Sequence, residues 1–344
     1  MQTSSASCLP ETRKWGKTMA IKVIMDVDTG SDDAVAIMTA ATSPAIDLVA
    51  ICTVWGNQAV ENTTDNTLRL IDALGLKVPV YKGCDTAMVK YLTKDFVPTP
   101  LRKPVMYQGK PFQMHAEHLD LPEAVSKPEA LPAACFYVDY LRKATEKVTL
   151  VPVGPLTNLG LALRIAPDIV DKIEQIVIMG GGSKMTNCNP WSESNIWHDP
   201  EAAQIVAECG AKVIWIPLDA THEACVTLED CERFRKIGSF AANFSAEQCR
   251  QRIIVHNAQQ PLPVPDAAAV HDALCIAYLI DPTVITDLRH CHVEIGLSGY
   301  GEGQTIVDQR AYPLEKNGYF AFHADRFKFV NILCDCFARP VQGN

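Results

Sequence analysis

The chain is short of positive charge. Lysine and arginine together number 31 against 40 aspartates and glutamates, a formal charge of −9. Nucleic acid and anionic membrane surfaces are therefore not the expected partners, whereas a small neutral substrate is compatible. No apolar run reaches the roughly 20 positions that a membrane span needs. Residues 1–18, "MQTSSASCLPETRKWGKT", lack the apolar middle of a secretory signal and are expected to be a flexible extension. Cys-x-x-Cys pairs are missing although there are 13 cysteines, which weighs against a structural zinc site. The cysteine number is odd, and several sit in apolar runs, such as Cys52 in "VAICTVW" and Cys275 in "DALCIAYLI". They read as small buried hydrophobes in a reducing compartment, the cytoplasm. Repeats, low-complexity tracts and Pro/Gly/Ser linkers are also lacking. One domain, residues 19–340, is the expectation.

What is present is an alternation of β-branched apolar runs with helical patterns. "IKVIMDVD", "IDLVAICTVWG", "VPVYKG", "VTLVPVG", "IEQIVIMGG" and "KVIWIPLD" read as strands. "SDDAVAIMTAAT", "VENTTDNTLRLIDALG", "LPAACFYVDYLRKATE", "LTNLGLALRIAP" and "DPEAAQIVAECG" read as helices between them. Near-continuous apolar strands are buried on both faces, so the expected fold class is α/β, an open, mostly parallel sheet flanked by helices. From about His290 the pattern changes to short strands, "CHVEIGL", "QTIVDQR" and "GYFAFHA", then a last helix near "RFKFVNILCDCFA". These predict a small additional β region near the C-terminus. The irregular stretch from about Cys84 to Glu129 is either a lid or binding loop, or a surface excursion.

Open parallel sheets bind ligands beyond the C-terminal ends of their strands. The polar residues collect there. The first strand delivers Asp26, Asp28, Asp32 and Asp33 within "DVDTGSDDA"; the second delivers Asn57; later strands deliver Asn187, Glu193, Asn195, Asp219 and His222. Asp26 and Asp28, two apart on a strand, are expected on one face. Asp32 and Asp33 fall in a helix's first turn, where the dipole favours an anion by roughly 0.3–1 kcal/mol. That is too little to hold four carboxylates together. No lysine or arginine stands near them in sequence, and oxygen-only ligands point to Ca2+ or Mg2+. The alternative is a helix cap with solvated surface acids. "DVDTG" also fits the DxDx[T/V] start of an Mg2+-dependent phosphatase, in which the first Asp would be the nucleophile. In "VHDALCIAYLIDP", His271 and Asp272 form either a cap or a functional pair, the Asp reaching a metal and the His protonating a leaving group. Trp191 and Trp197 either stack on a planar base or close their loop onto the sheet. The three glycines at 180–182 predict a tight turn rather than a phosphate cradle, since no GK[ST] follows.

Taken in order and spacing, "DVDTGSDDA", "VWGN", "VGPLTN", "MGGG…N…E.N…DPEAA" and "LDATH…HDALCIAYLIDP" resemble the Ca2+-dependent nucleoside hydrolases of the inosine–uridine type, from about Ile21 to the end of the chain. The resemblance implies the Rossmann-like fold of that family and hydrolysis of the N-glycosidic bond of ribonucleosides, in nucleoside salvage. It implies a Ca2+ held by Asp28, Asp33, Asp272 and the Val153 carbonyl, with Asp26 behind them. Asp28 would be general base on a Ca2+-bound water. Asp32, Asn57, Asn187, Glu193 and Asn195 would grip the ribose, Met179 would pack beneath it, and His271 would lie near the base and help it leave. It further implies a homodimer or homotetramer with a small-molecule ribonucleoside as its partner. A non-catalytic ribose- or Ca2+-binding homologue is the remaining alternative; the intact Asp28, Asn57, Glu193 and Asp272 weigh against it. The chain departs from the family pattern twice. Ser194, in "SESN", stands where the family usually has an aromatic, and "MHAEHLD" replaces a cleaner His-Gly loop, leaving His115 and His118 as candidate base contacts.

Overall fold

The apolar runs alternate with helices as their composition dictates. The computed structural model describes residues 20–92 and 105–342. Strand β1 (Ile21–Val27) leads through a short turn into α1 (Ser31–Thr42), followed by β2 (Ile46–Thr53), α2 (Val60–Leu74) and β3 (Val80–Lys82). The irregular stretch contains a small hairpin, β4 (Val105–Tyr107) and β5 (Lys110–Phe112). Regular alternation resumes with α3 (Ala133–Lys143), β6 (Val148–Pro152), α4 (Thr157–Ile165) and β7 (Ile173–Met179). Next come α5 (Ser194–His198), α6 (Pro200–Ala207), β8 (Val213–Ile216), α7 (Leu218–Thr221) and β9 (Cys225–Thr227). Two helices, α8 (Leu228–Ile237) and α9 (Phe240–Gln259), precede β10 (Ala267–Ala269) and α10 (His271–Ile280). The chain closes with β11 (Ile285–Ile295), β12 (Thr305–Asp308), β13 (Gly318–Ala324) and α11 (Arg326–Phe337).

Nine strands form one sheet in the order β12-β11-β13-β8-β7-β6-β1-β2-β3. All neighbours from β13 through β8 to β3 are parallel; β11 runs against them, pairing antiparallel with β13 on one side and β12 on the other. The strands β11, β12 and β13 are the additional β region expected near the C-terminus. They prolong the main sheet, because β13 pairs in parallel with β8. The chain winds from β1 outward to β3, then returns to β6 on the other side of β1. That reversal leaves a crevice beyond the ends of β1 and β6, where such sheets bind ligands.

Two apolar layers bury the sheet. Val23, Met25 and Val27 pack with α1, α2 and the C-terminal helices, and Ile24 packs with α3, α4 and α6 on the other face. By the same alternation Asp26 belongs with Ile24. Every residue of α1 is buried, so its first turn cannot carry merely solvated acids. None of the helices in the described residues is long and apolar enough to cross a membrane. Residues 1–18, the expected extension, lie outside the described residues.

Candidate functional site

At the mouth of the crevice a cavity of about 490 Å3 is lined by Asp28, Asp32, Asn57, Val153, Met179, Asn187, Glu193, Asn195, His271 and Asp272, among others. They include most of the polar groups expected at the strand ends, gathered from distant segments of chain; Asp219 and His222 do not line it. Asp33 completes the acidic cluster from behind and is fully buried. Its two oxygens accept from the backbone N–H groups of Asp28 (3.1 Å) and Gly30 (2.9 Å), which folds the turn after β1 around it. Asp28 accepts from the Asn57 N–H at 2.7 Å. The Asn57 amide donates to the Asp28 carbonyl and to Asp33, both at 3.2 Å. A Cβ on Gly56 would lie 2.2 Å from the Asp28 carboxylate, and the Gly56 φ of +154° also favours glycine. Backbone thus comes close enough to fix that carboxylate.

The acids are crowded and dry. Asp32, Asp33 and Asp272 each offer an oxygen within 4.8 Å of the others. Burial, with the Asp32 charge adding, pushes Asp33 up to about 7. Burial and the Asp33 charge push Asp28 well above the usual carboxylate range, and burial with its acidic neighbours does the same to Asp272. The positive partner missing from the local sequence comes from α9: Arg252 Nη1 donates to Asp32 at 2.7 Å. One guanidinium against four carboxylates leaves a surplus of negative charge. The donor set, all oxygen, fits a hard divalent cation.

Asp26 has a different environment from Asp28. Strand β1 ends at Val27, so the alternation that would put both on one face stops between them. Asp26 accepts from Tyr137 Oη at 3.1 Å and Asn158 Nδ2 at 3.0 Å, and does not line the cavity. A nucleophile there could not reach a substrate, which removes the basis of the phosphatase reading. Burial raises its pKa to about 7 against the pull of both donors. Above that pH the Tyr137 hydroxyl serves a charged acceptor. Tyr137→Phe is expected to cost about 2 kcal/mol at pH 8 and distinctly less at pH 5.5, where Asp26 is protonated. Urea unfolding at both pH values checks this; an equal loss at both contradicts it.

The far wall of the cavity is built by the segment after β7. Gly181, with φ of +79°, makes the expected tight turn, and its N–H donates to Glu193 at 3.0 Å. Glu193 also caps α5, accepting from the Asn195 (3.0 Å) and Ile196 (3.2 Å) N–H groups. That cap is why residues 194–198, expected as loop, are helical. Burial pushes Glu193 up to about 6. The Asn195 amide donates to the Val153 carbonyl at 2.7 Å and to the Met179 carbonyl at 3.1 Å, tying α5 to the ends of β6 and β7. Asn187 accepts from the Ser194 N–H at 2.9 Å. Asp219 pins the same loop, accepting from Ser183 and Lys184. The two tryptophans hold the loop down rather than line the cavity: Trp191 donates to the Glu302 carbonyl, and the Lys90 ammonium lies 3.6 Å from the centre of the Trp197 ring.

His271 opens α10, its Nδ1 2.7 Å from Thr221 Oγ1. Burial, then the charge of Arg252, hold its pKa well below the ordinary histidine value. His222 and His256 surround it, with ring centres at 5.7 and 6.1 Å. Burial and Arg252 lower these to about 4 and about 3. His115 lines the cavity beside the α1 start, whereas His118 turns outward to Asp65. Sequence reasoning missed α9 altogether, and with it Arg252, His256 and Gln260, all of which line the cavity. A signal was there: Gln248, Arg252, His256 and Gln260 recur every four residues, one polar stripe on one helical face. A second cleft, of about 540 Å3, lies at the opposite strand ends near Lys22 and Val148. Two of its three acids form surface ion pairs, Glu146 with Lys22 and Asp139 with Lys143.

Comparison with known proteins agrees with this geometry. Residues 23–331 match the model of the family described as inosine-uridine preferring nucleoside hydrolase. The chain is 36% identical over 326 residues to the inosine-uridine preferring nucleoside hydrolase of Leishmania major, covering 93% of this chain and 98% of that one. It is equally similar, 36% over 324 residues, to the pyrimidine-specific ribonucleoside hydrolase RihA of Escherichia coli K12, covering 92% of this chain and 98% of the relative. Among solved structures, a purine-preferring ribonucleoside hydrolase from Gardnerella vaginalis superposes with a TM-score of 0.79 at 32% identity, over 92% of this chain and 98% of the other.

Proposed function

The chain belongs to the inosine-uridine preferring nucleoside hydrolase family, enzymes that act on N-glycosyl bonds, and from that premise we propose a Ca2+-dependent ribonucleoside N-glycohydrolase whose water is activated by Asp28. One observation carries this reading: the carboxylates of Asp28, Asp32 and Asp272 and the ribose-sized polar set Asn187, Glu193 and Asn195 open into one cavity at the reversal between β1 and β6. Asp28, Asp33, Asp272 and the Val153 carbonyl would hold the cation. When bound, Ca2+ would supply the positive charge that keeps these acids ionised and would lower the pKa of nearby water.

The chain's own groups do the rest. Asp28, held by the Asn57 N–H between Gly56 and Gly154, takes the proton of the attacking water. Asp32, Asn187, Glu193 and Asn195 accept and donate hydrogen bonds to the ribose hydroxyls, with Met179 beneath the ring. Asn57 spends its amide on Asp28 and Asp33 and so orients the carboxylates as well as the sugar. The surrounding negative charge stabilises the oxocarbenium character that develops on the ribose. With Thr221 donating to Nδ1, His271 is a neutral imidazole whose Nε2–H hydrogen-bonds the departing base. The relatives' names differ in the base they specify, and this chain's departures, Ser194 and His115, both line the cavity, where we assign them to the base.

A grip built for hydroxyls leaves buried polar groups unpaired when one is missing. Uridine is therefore expected to exceed 2′-deoxyuridine in kcat/KM by about 100-fold, measured as free sugar released; equal rates would contradict a ribose-gripping site. The homo-oligomer expectation carries over as part of this proposal and is read by light scattering.

A further inference from the structure

One buried guanidinium, that of Arg252, reaches the acidic cluster around the α1 and α10 starts, and it bonds Asp32. Arg252 is 1% exposed, and 220 residues separate it from Asp32 in sequence. Its Nη1 donates to Asp32 Oδ1 at 2.7 Å and to Ser31 Oγ at 2.9 Å, and its Nε donates to the Ala269 carbonyl at 2.9 Å. Ser31 and Asp32 begin α1; Ala269 ends β10, two residues ahead of His271. One planar side chain thus joins α9 to both segments that carry the acids. A guanidinium is suited to this, being always charged and donating in fixed directions.

Building on the hydrolase reading, we propose that Arg252 is a positioning residue that divides the acidic cluster: it holds Asp32 for the ribose and leaves Asp28, Asp33 and Asp272 to the cation. Proximity alone does not make that division, because Asp32, Asp33 and Asp272 lie equally within 4.8 Å of one another. The guanidinium makes it. It occupies Asp32 Oδ1, fixes the plane of the carboxylate and, as a positive charge beside it, opposes approach of a second cation to that oxygen.

This role has a signature opposite to that of a residue that merely holds the fold. Loss of a scaffold residue loosens Ca2+, because its ligands become disordered. Loss of the dividing residue frees Asp32 to join the cation, so Ca2+ binds more tightly while ribose binds less well. The experiment uses the full chain as Arg252→Met and Arg252→Lys. Ca2+ is titrated calorimetrically without substrate, then KM and kcat are measured for inosine and uridine at saturating Ca2+. Arg252→Met is expected to lower the Ca2+ Kd about tenfold and raise KM about tenfold, with kcat changing less. Arg252→Lys keeps the charge but not the two-segment fork. Its Ca2+ Kd is expected within about twofold of the parent, with KM raised severalfold. A Ca2+ Kd that is unchanged or weaker in Arg252→Met overturns the proposal. If that variant does not fold, loosened Ca2+ in Arg252→Lys does so instead. The calorimetric arm requires no turnover: an enzyme inert toward every ribonucleoside would overturn the functional reading, while the sign of the Ca2+ change would still decide the role of Arg252.

Discussion

Asp28→Asn is expected to lower kcat for ribonucleoside hydrolysis by about a thousandfold or more and to leave the protein folded. The loss follows from the proposed role of Asp28, which takes the water's proton, a contribution of roughly 10²–10⁴, and supplies one anionic cation ligand. Retention of the fold follows from the local geometry. The Asn57 N–H donates to Asp28 at 2.7 Å, and an asparagine oxygen accepts equally well in the same space between Gly56 and Gly154. The sign of the stability change is itself a test. Burial and Asp33 raise the Asp28 pKa in the folded protein, so its ionised form opposes folding above the ordinary carboxylate range. In chelator at pH 8, Asp28→Asn should melt no lower than the parent. A variant with near-parental kcat would remove Asp28 from the role of base.

Ca2+ is expected to raise the melting temperature by about 5 °C at a hundred times its Kd, and this gain is expected to shrink steeply on acidification. Asp28, Asp33 and Asp272 have folded pKa values raised above the unfolded ones, Asp33 to about 7. Such groups contribute stability at low pH that is lost as pH rises through the folded value. The chelated protein therefore suffers most at pH 8, above the Asp33 value, where Ca2+ has fewer protons to displace. At pH 5.5 the cation must compete with protons for the same oxygens. His222 and His256 act in the other sense. Their lowered values, about 4 and about 3, make the fold lose stability as pH falls below the ordinary histidine range. Subtracting the chelated from the Ca2+-loaded melting curve at each pH cancels that background. A Ca2+ gain equal at pH 5.5 and pH 8 would show that the ion sits elsewhere.

The two predictions draw on residues whose legibility in the sequence differed. The parallel strands were readable because each is apolar on both faces, and α1 because "SDDAVAIMTAAT" is apolar but for two threonines after its acidic turn; it is buried throughout. The ribose-side set was readable because each member follows a strand end. What could not be read depended on segments far apart in the chain. Helix α9 buries Gln248, Arg252 and His256 along with Ile253 and Val255, so polar residues interrupt the apolar periodicity that marks a helix. Its stripe points at the site, not at the core, and the guanidinium that answers the charge of Asp32 was hidden with it. The environment of Asp26 depended on where β1 stops, a boundary that the alternation of side chains does not announce. The C-terminal strands read correctly as strands, but their place beside β8 rests on a long-range parallel pairing.

The most direct test of the central claim is free ribose released from inosine, uridine, adenosine, guanosine and cytidine, in phosphate-free buffer, with Ca2+ and with chelator. The account predicts ribose from at least one of them with Ca2+, abolished by chelation and restored when Ca2+ is returned. Ribose released at the same rate in chelator, or none from any of the five by a folded protein that binds Ca2+, would contradict it.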